Sequence, residues 1–303
     1  MMLSPPKYLQ KIREYGFRDS LNIAWKRKVL GPYLKRKWRS VPQYSGPTEE
    51  ELIAIEARLS ELGIPVTPLN VDERAFDEFK RAIAFPGDYH GGPQGPVWEE
   101  KLLEYMIAYR LCELSEFSDA DIYIDIAGAA SPWATLLRNI GITAYSVDLK
   151  VPRKFKHLEY YLERNAICTN FKPDSVRSTS LQCAFEMFIG DSDGKLIDEL
   201  GRILVPGGKA VIVPLYLHTH HCGYSSPEYF GKGHADSGSV QYMRTQGWGV
   251  PFSRKYSPDT LISRVLTRVR NNGMYFKIFK VENKERFGSN VYCHFVMEIV
   301  KNG

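Results

Sequence analysis

A histidine-rich segment directly follows an apolar, strand-like run that ends at Leu215. It reads His218-Thr219-His220-His221-Cys222. Because imidazole titrates near neutral pH, a histidine at a strand end can accept a proton from a hydroxyl group. We therefore predict that one of His218, His220 and His221 is a general base, with a simple surface loop as the alternative. No carboxylate pair at metal-ligand spacing accompanies them, so the sequence predicts no metal site.

A second group of residues could hold a ligand at the turn after the apolar run Ile122 to Ala127. Gly128 and its flanking alanines, Ala127 and Ala129, would let the backbone approach a bound molecule closely. Asp125 precedes them, and the first N–H groups of a following helix would attract a negatively charged group. The pattern predicts a strand, a tight turn and a helix that together bind a ligand. An ordinary strand-to-helix connection that binds nothing has the same pattern and is the alternative.

Asp148 ends the next strand-like run and lies 20 residues beyond Gly128. In nucleotide-binding βαβ units, an acid at this place accepts hydrogen bonds from ribose hydroxyls. Two further acids could reach the same cleft. Glu186 follows a later predicted strand, and Asp191 precedes a predicted helix. We treat both as candidate proton acceptors, whereas a helix-start role is the alternative for Glu186.

The elements that must position these residues alternate between strand and helix. We predict helices over residues 98–117, 133–139, 158–164 and 193–204. Strands are predicted between and after them, over residues 122–127, 142–148, 178–185 and 209–215. A short strand near Ala166, a helix over 257–270 and final strands over 275–281 and 290–300 complete the pattern. This alternation predicts a parallel sheet that binds ligand at the carboxyl ends of its strands.

The segment before residue 97 differs in character. Residues 7–39 carry a dense basic set interleaved with aromatic and aliphatic side chains, which suits an anionic membrane surface. A helical arm packed on the main domain is the alternative, and nucleic acid ranks last because no nucleic-acid motif accompanies the charge. Two helices are predicted over 48–62 and 72–84. A Gly- and Pro-rich stretch, 85–96, then forms a lid or a linker.

Composition limits the protein class. The chain has 303 residues, 44% of them hydrophobic, so it can bury a large core. No apolar stretch is long enough to span a membrane, and no signal-peptide pattern is visible. Its five cysteines form no C-x-x-C pair, which argues against a disulfide framework or a structural zinc site. We expect a soluble, cytoplasmic protein, with peripheral membrane contact through residues 1–39 as an open alternative.

One motif carries a family resemblance. The segment from Leu196 to Lys209 contains Glu199-Leu200-Gly201-Arg202-Ile203-Leu204-Val205-Pro206-Gly207-Gly208. It resembles the E-x-x-R-v-L-k-P-G-G segment of class I S-adenosylmethionine-dependent methyltransferases. Asp125 to Gly128 and Asp148 resemble the cofactor motifs of the same family, so the similarity spans roughly residues 98–215.

The resemblance implies a Rossmann-like class I methyltransferase sheet. It would be mostly parallel with an antiparallel last strand, helices on both faces and a helical N-terminal extension. Residues 1–96 would form that extension and linker, residues 97–303 the methyltransferase-like domain, and about 216–256 a variable substrate insertion.

The implied activity is methyl transfer from S-adenosylmethionine to an oxygen or nitrogen of a small molecule or carbohydrate. A saccharide is the first acceptor to test, because the insertion mixes aromatic and polar side chains. The chain has Ala130 and Pro132 where the family loop usually carries glycine. The alternative is therefore a catalytically inactive, methyltransferase-like binding protein.

Overall fold

The computed structural model describes residues 26–128 and 130–303. Most of the basic segment 1–39, for which we weigh membrane contact against a packed helical arm, thus lies outside the described residues, as does Ala129. Within the described residues, no helix combines the length and the apolar character needed to cross a membrane.

An eight-stranded sheet forms the centre of the protein. Its spatial order is β1-β10-β11-β6-β5-β2-β3-β4. The strands are β1 Val66–Leu69, β2 Ile122–Ile126, β3 Thr143–Asp148, β4 Tyr161–Glu163, β5 Val176–Gln182, β6 Leu204–Val213, β10 Met274–Val281 and β11 Phe295–Lys301. Strand β11 runs antiparallel to both neighbours, and every other pairing in this sheet is parallel. The prediction of a mostly parallel sheet with an antiparallel last strand is confirmed.

Helices precede, cover and connect these strands. They are α1 Gly31–Lys37, α2 Glu49–Glu61, α3 Glu73–Ile83, α4 Trp98–Leu111, α5 Trp133–Asn139, α6 Ser192–Ile203, α7 Pro258–Leu261 and α8 Thr267–Asn271. The sequence signals at their ends operate as expected. Thr48 and Glu51 form a reciprocal capping box that starts α2, and Gly63, with a φ of 71°, follows its end.

Alternating side chains of the strands build two hydrophobic cores on opposite faces of the sheet. In β2, Ile124 and Ile126 belong to one core, whereas Tyr123 belongs to the other. Helices α2 and α6 cover the first core, and helices α4 and α5 cover the second. Because successive side chains of a strand point to opposite faces of the sheet, Asp125 lies on the same face as Tyr123, which is the face that α4 covers.

A small second sheet lies in the region predicted to be a substrate insertion. Its strands are β7 Cys222–Ser225, β8 Val240–Met243 and β9 Ser253–Lys255, in the order β8-β7-β9. The segment before α2 joins this sheet, because the Tyr44 backbone N–H donates to the Met243 carbonyl at 2.9 Å.

Two sequence predictions for individual elements are wrong. The helix predicted over 158–164 is the strand β4, where Tyr161 stacks on Phe155 with ring centroids 4.2 Å apart. The Tyr161 hydroxyl also donates to the Ser131 carbonyl at 2.8 Å, so tertiary contacts override local propensity. The strand predicted near Ala166 is a turn closed by a bridge between Asn165 and Cys168.

Strand β1 was not predicted at all. It has four residues, includes Pro68, and pairs only with β10 at the edge of the sheet. Helix α2 and strand β1 pack on the sheet although both precede residue 97. A domain boundary at residue 97 therefore stays a prediction.

Candidate active site

Asp125 and Gly128 meet at the carboxyl end of β2, the central strand nearest the change in strand order. The Asp125 side chain is buried, with the residue 1% exposed, and neither carboxylate oxygen has a hydrogen-bond partner among residues 26–128 and 130–303. Burial and the negative charge of Asp148 raise the pKa of Asp125 well above its usual range. A Cβ at position 128 would overlap the Asp125 carboxylate and lie 2.6 Å from the Ser146 Oγ. Only glycine fits there.

The loop after β2 has an unusual backbone at Ala127. Its φ is 58°, a left-handed conformation that costs a residue with a Cβ about 1 kcal/mol or more. A backbone hydrogen bond holds it, from the Ala127 N–H to the Val147 carbonyl at 2.7 Å. The Ser131 N–H donates to the Gly128 carbonyl at 2.7 Å and closes the turn. Such strain is typical of ligand-binding loops.

Asp148 lies at the neighbouring strand end. Strands β2 and β3 are parallel and in register from Ile122 and Thr143 onward, so their carboxyl ends share one edge of the sheet. The Asp148 Oδ1 accepts the Lys150 N–H at 3.0 Å, which orients the carboxylate. The structure thus brings Asp125, Gly128 and Asp148 together.

Aromatic residues from the Gly- and Pro-rich stretch cover this loop. Phe85 stacks on Trp133 with centroids 5.8 Å apart and an interplanar angle of 7°. The Tyr105 hydroxyl lies 2.6 Å from the Ser131 Oγ and 3.0 Å from the Tyr89 hydroxyl. The stretch is therefore packed against the turn after β2 and forms one wall of the cleft.

A buried polar cluster, not predicted from the sequence, lies beside this cleft. Helix α4 contributes Lys101 and Glu104, whose Nζ and Oε2 atoms are 2.9 Å apart. Cys183 follows β5, and its Sγ lies 2.7 Å from the Lys101 Nζ and 3.1 Å from both the Glu104 Oε1 and the Tyr216 hydroxyl. The Tyr292 hydroxyl is 3.6 Å from the same sulfur. This Lys101–Glu104–Cys183–Tyr216–Tyr292 group is called the polar cluster below.

Opposite charges within the polar cluster compensate one another. Burial opposes the Lys101 ammonium, but the adjacent Glu104 carboxylate outweighs this effect and raises the lysine pKa well above its usual value. Burial and the Glu104 charge raise the pKa of the Cys183 thiol, so the thiol stays protonated. Cys183 has a φ of 49°, another left-handed non-glycine residue at a strand end. A sequence signal did exist: Lys101 and Glu104 are opposite charges three residues apart on a helix predicted to be well buried.

A cavity of about 580 Å³ adjoins the polar cluster and shares Tyr216 and Tyr292 with it. Tyr44, Tyr224, Arg244 and Lys255 also line it. The Lys255 residue is 2% exposed, and its Nζ lies 3.4 Å from the centroid of the Tyr216 ring. Within residues 26–128 and 130–303, Lys255 has no carboxylate within ion-pair distance. The cavity is therefore aromatic and positively charged.

Glu186 does not itself line this cavity, but among the predicted catalytic acids its charge acts on residues that do. It is 7% exposed, and its Oε2 has no hydrogen-bond partner among the described residues. Burial raises the pKa of Glu186, and the Lys255 ammonium partly offsets that rise. Its charge in turn acts on the Tyr44 and Tyr216 hydroxyls, which line the cavity. Asp191, by contrast, is exposed and pairs with Arg268 at 2.9 Å.

The structure does not bring the three histidines into the cavity lining. The His221 Nε2 lies 3.3 Å from the Asp236 Oδ2, and its Nδ1 lies 3.2 Å from the Lys255 carbonyl oxygen. His218 and His220 contact one another edge to face, with ring centroids 4.3 Å apart. They occupy the base of the insertion beside the cavity.

A buried arginine fixes the insertion to the main domain. Arg254, in β9, is fully buried, and its guanidinium lies 2.9 Å from the Asp193 carboxylate and 2.7 Å from the Asp236 Oδ1. It also donates to the carbonyls of Phe188 and Gly190 at 2.8 and 2.9 Å. Burial favours a neutral Asp236, but hydrogen bonds from Arg254 and His221 hold its pKa well below the usual range. Lys255 follows Arg254 directly, so this network positions the cavity lysine.

Comparison with known proteins gives structural matches only. No family model and no curated protein matches the sequence. The fold is similar to a Burkholderia thailandensis 1,6-didemethyltoxoflavin-N1-methyltransferase solved with S-adenosylhomocysteine, at 14% identity and a TM-score of 0.45, covering 78% of this chain and 94% of that one. A Methanosarcina mazei SAM-dependent methyltransferase matches at 13% identity and a TM-score of 0.40, covering 62% and 95%. Geranyl diphosphate C-methyltransferase from Streptomyces coelicolor A3(2) matches at 14% identity and a TM-score of 0.38, and the match covers 75% of this chain and 98% of that one.

The strand order and the antiparallel β11 decide the fold class. The fold is Rossmann-like, of the class I methyltransferase type. A fold does not by itself imply an activity, so activity has to be argued from the site.

Proposed function

We propose that the protein is an S-adenosylmethionine-dependent methyltransferase that acts on an oxygen or nitrogen of a small polar molecule. The observation that carries this proposal is the buried carboxylate of Asp125 beside Gly128, which has no hydrogen-bond partner in the part of the chain that the structure describes, with Asp148 at the adjacent strand end. An unpaired buried carboxylate is costly unless a ligand donates to it. The site calls for a molecule that carries both a cation and hydroxyl donors.

The residues present fit this cofactor. Asp125 would accept hydrogen bonds from the cofactor ammonium, and Asp148 would accept them from the ribose hydroxyls. At Ala127 and Gly128 the backbone would approach the cofactor closely. Ala129, the remaining predicted loop residue, lies outside the described residues. When bound, S-adenosylmethionine supplies an electrophilic methyl group whose transfer leaves a neutral thioether.

Glu186 is the proposed proton acceptor for the methyl acceptor's O–H or N–H group. Its burial favours proton uptake, and its charge couples to Tyr44, Tyr216 and Lys255, which line the cavity. A buried carboxylate with a raised pKa is suited to act as a base near neutral pH. The histidines are the alternative source of the base, because His218 directly follows Leu217, which lines the cavity.

The cavity supports a saccharide or a similar hydroxyl-rich acceptor that carries a negative group. Tyr44, Tyr216 and Tyr224 offer ring faces and hydroxyls, while Lys255 and Arg244 offer positive charge. The Arg244 guanidinium is held by the Tyr224 hydroxyl at 3.0 Å and can donate further. A carboxylate or phosphate substituent would compensate the positive charge of the cavity.

Replacing the ribose acid tests the cofactor site. We expect Asp148→Ala to weaken S-adenosylhomocysteine binding by about 1.5–3 kcal/mol, roughly 10- to 150-fold, because charge-assisted hydrogen bonds are lost. Isothermal titration calorimetry measures the effect. Asp121→Ala is the matched control, since Asp121 lies at the opposite end of β2 and pairs with Arg177. Equal affinities of the wild type and Asp148→Ala would remove Asp148 from the site. Tight binding without methyl transfer to any acceptor would favour the binding-protein alternative.

A further inference from the structure

Three potential metal ligands converge at the start of the small sheet. One ligand atom each from His218, His220 and Cys222 lies within 4.8 Å of the other two. We propose that these three residues bind a zinc ion, independently of the cofactor site. From the sequence, metal binding is only a lesser interpretation of this segment, because its spacing would align His218 and His220 only in an extended chain.

The backbone anchors this segment at both ends. The His218 N–H donates to the Tyr256 carbonyl at 2.9 Å, and Cys222 begins β7, where it pairs with Lys255. Between these anchors the chain bends at Thr219 and His220, and the three ligand atoms come together there. The ligand set is thus fixed by pairing with β9 rather than by a free loop.

The donor types select the metal. Two imidazoles and one thiol suit zinc, whereas magnesium and calcium require oxygen ligands. Bonds of about 2.0–2.3 Å in a tetrahedral shell place ligand atoms roughly 3.5 Å apart. Small side-chain rotations would close the observed 4.8 Å spread to that distance. Three protein ligands leave a fourth position, and half-buried His220 leaves it accessible to water.

The three side chains are available for binding. Cys222 is fully buried, and within the described part of the chain its sulfur has no hydrogen-bond partner. The Tyr242 hydroxyl lies 2.9 Å from the His220 Nε2, the kind of outer contact that orients a ligating imidazole. His221 is excluded from the set because it contacts Asp236.

Cobalt(II) is the most direct probe of this site, because a cobalt–thiolate bond adds a charge-transfer absorption that imidazole and water ligands do not. We expect the full-length protein to bind one equivalent of Co²⁺ with this absorption, and added Zn²⁺ to abolish it. Cys222→Ser should lose the absorption. Cys168→Ser, which removes an exposed thiol elsewhere, should keep it.

Zinc affinity, measured by competition with a chromophoric chelator, provides a second readout. We expect Cys222→Ser and His220→Ala to weaken binding by at least about 100-fold, and Tyr242→Phe by about 10- to 100-fold. Circular dichroism establishes that each variant is folded. Folded wild type without stoichiometric Co²⁺ and Zn²⁺ binding would overturn the proposal, as would a charge-transfer absorption that persists in Cys222→Ser.

Discussion

Glu186→Gln is expected to lower the rate of methyl transfer by about 10²–10⁴-fold. The carboxamide keeps the shape of the side chain but cannot accept the proton that the acceptor loses. Cofactor affinity should change little, because Asp125, Gly128 and Asp148 are untouched. Single-turnover transfer of labelled methyl from S-adenosylmethionine to neutral sugars, uronic acids and sugar phosphates measures the rate.

The pH dependence of the same assay separates a base from a structural residue. A base acts when it is deprotonated, so the wild-type rate should fall as the pH drops through the pKa of Glu186. Burial raises that pKa, which moves the fall toward neutral pH from the usual range of a glutamate. Glu186→Gln should lack this limb of the profile.

Asp191→Asn is the matched control for this substitution. Asp191 pairs with Arg268 on the surface, so its loss should leave the transfer rate and its pH profile unchanged. The proposal for Glu186 would be contradicted if Glu186→Gln transferred methyl at the wild-type rate while an alanine variant of His218, His220 or His221 lost activity. That histidine would then be the base.

Arg254→Met is expected to lower the free energy of unfolding by about 3–5 kcal/mol. Methionine preserves much of the volume but leaves Asp193 and Asp236 without their buried guanidinium partner. The Arg264 guanidinium, 2.9 Å from Asp193, compensates only one of these carboxylates. Urea unfolding measures the change as a lower midpoint with an unchanged slope.

An exposed ion pair provides the control for Arg254. Arg74→Met removes a pair with Glu78 in which the arginine side chain is 88% exposed, and we expect a change of at most about 0.5 kcal/mol. Equal midpoints for Arg254→Met and Arg74→Met would show that the buried network does not stabilise the insertion.

Most of the sheet could be predicted because strong apolar runs form its central strands. Residues 122–127 and 142–148 are apolar, flanked by turn residues, and fall on β2 and β3 as expected. Strands β1 and β4 are short and lie at the two edges, where pairing and tertiary contacts decide the structure. A sequence pattern of three or four residues is too short to predict such an edge strand.

The cofactor half of the site could be predicted from the sequence because its residues follow consecutive strands. Asp125 and Asp148 each end a strand, and parallel neighbours bring their ends together. The acceptor half could not be predicted in the same way. Lys101, Glu104 and Cys183 come from a helix and a strand 82 residues apart, and their charges compensate one another only in the folded protein.

The surroundings of the three histidines also could not be predicted from the sequence. Their position after β6 indicates the carboxyl end of the sheet, and Leu215, Tyr216 and Leu217 line the cavity there. The histidines follow this segment and lie in the base of the insertion instead. Which side chain faces a cavity depends on how the insertion folds back, and here Arg254 determines this through contacts with Asp193.

The central claim, that this site binds S-adenosylmethionine through Asp125 and Asp148, is tested most directly by calorimetry of the wild-type protein with S-adenosylhomocysteine and with 5′-methylthioadenosine. The second ligand keeps the ribose hydroxyls but lacks the ammonium that Asp125 would bind. We predict one-to-one binding of S-adenosylhomocysteine with a dissociation constant well below about 1 mM, and binding of 5′-methylthioadenosine weaker by about 10- to 150-fold. No heat from either ligand, with the protein folded, would contradict the claim.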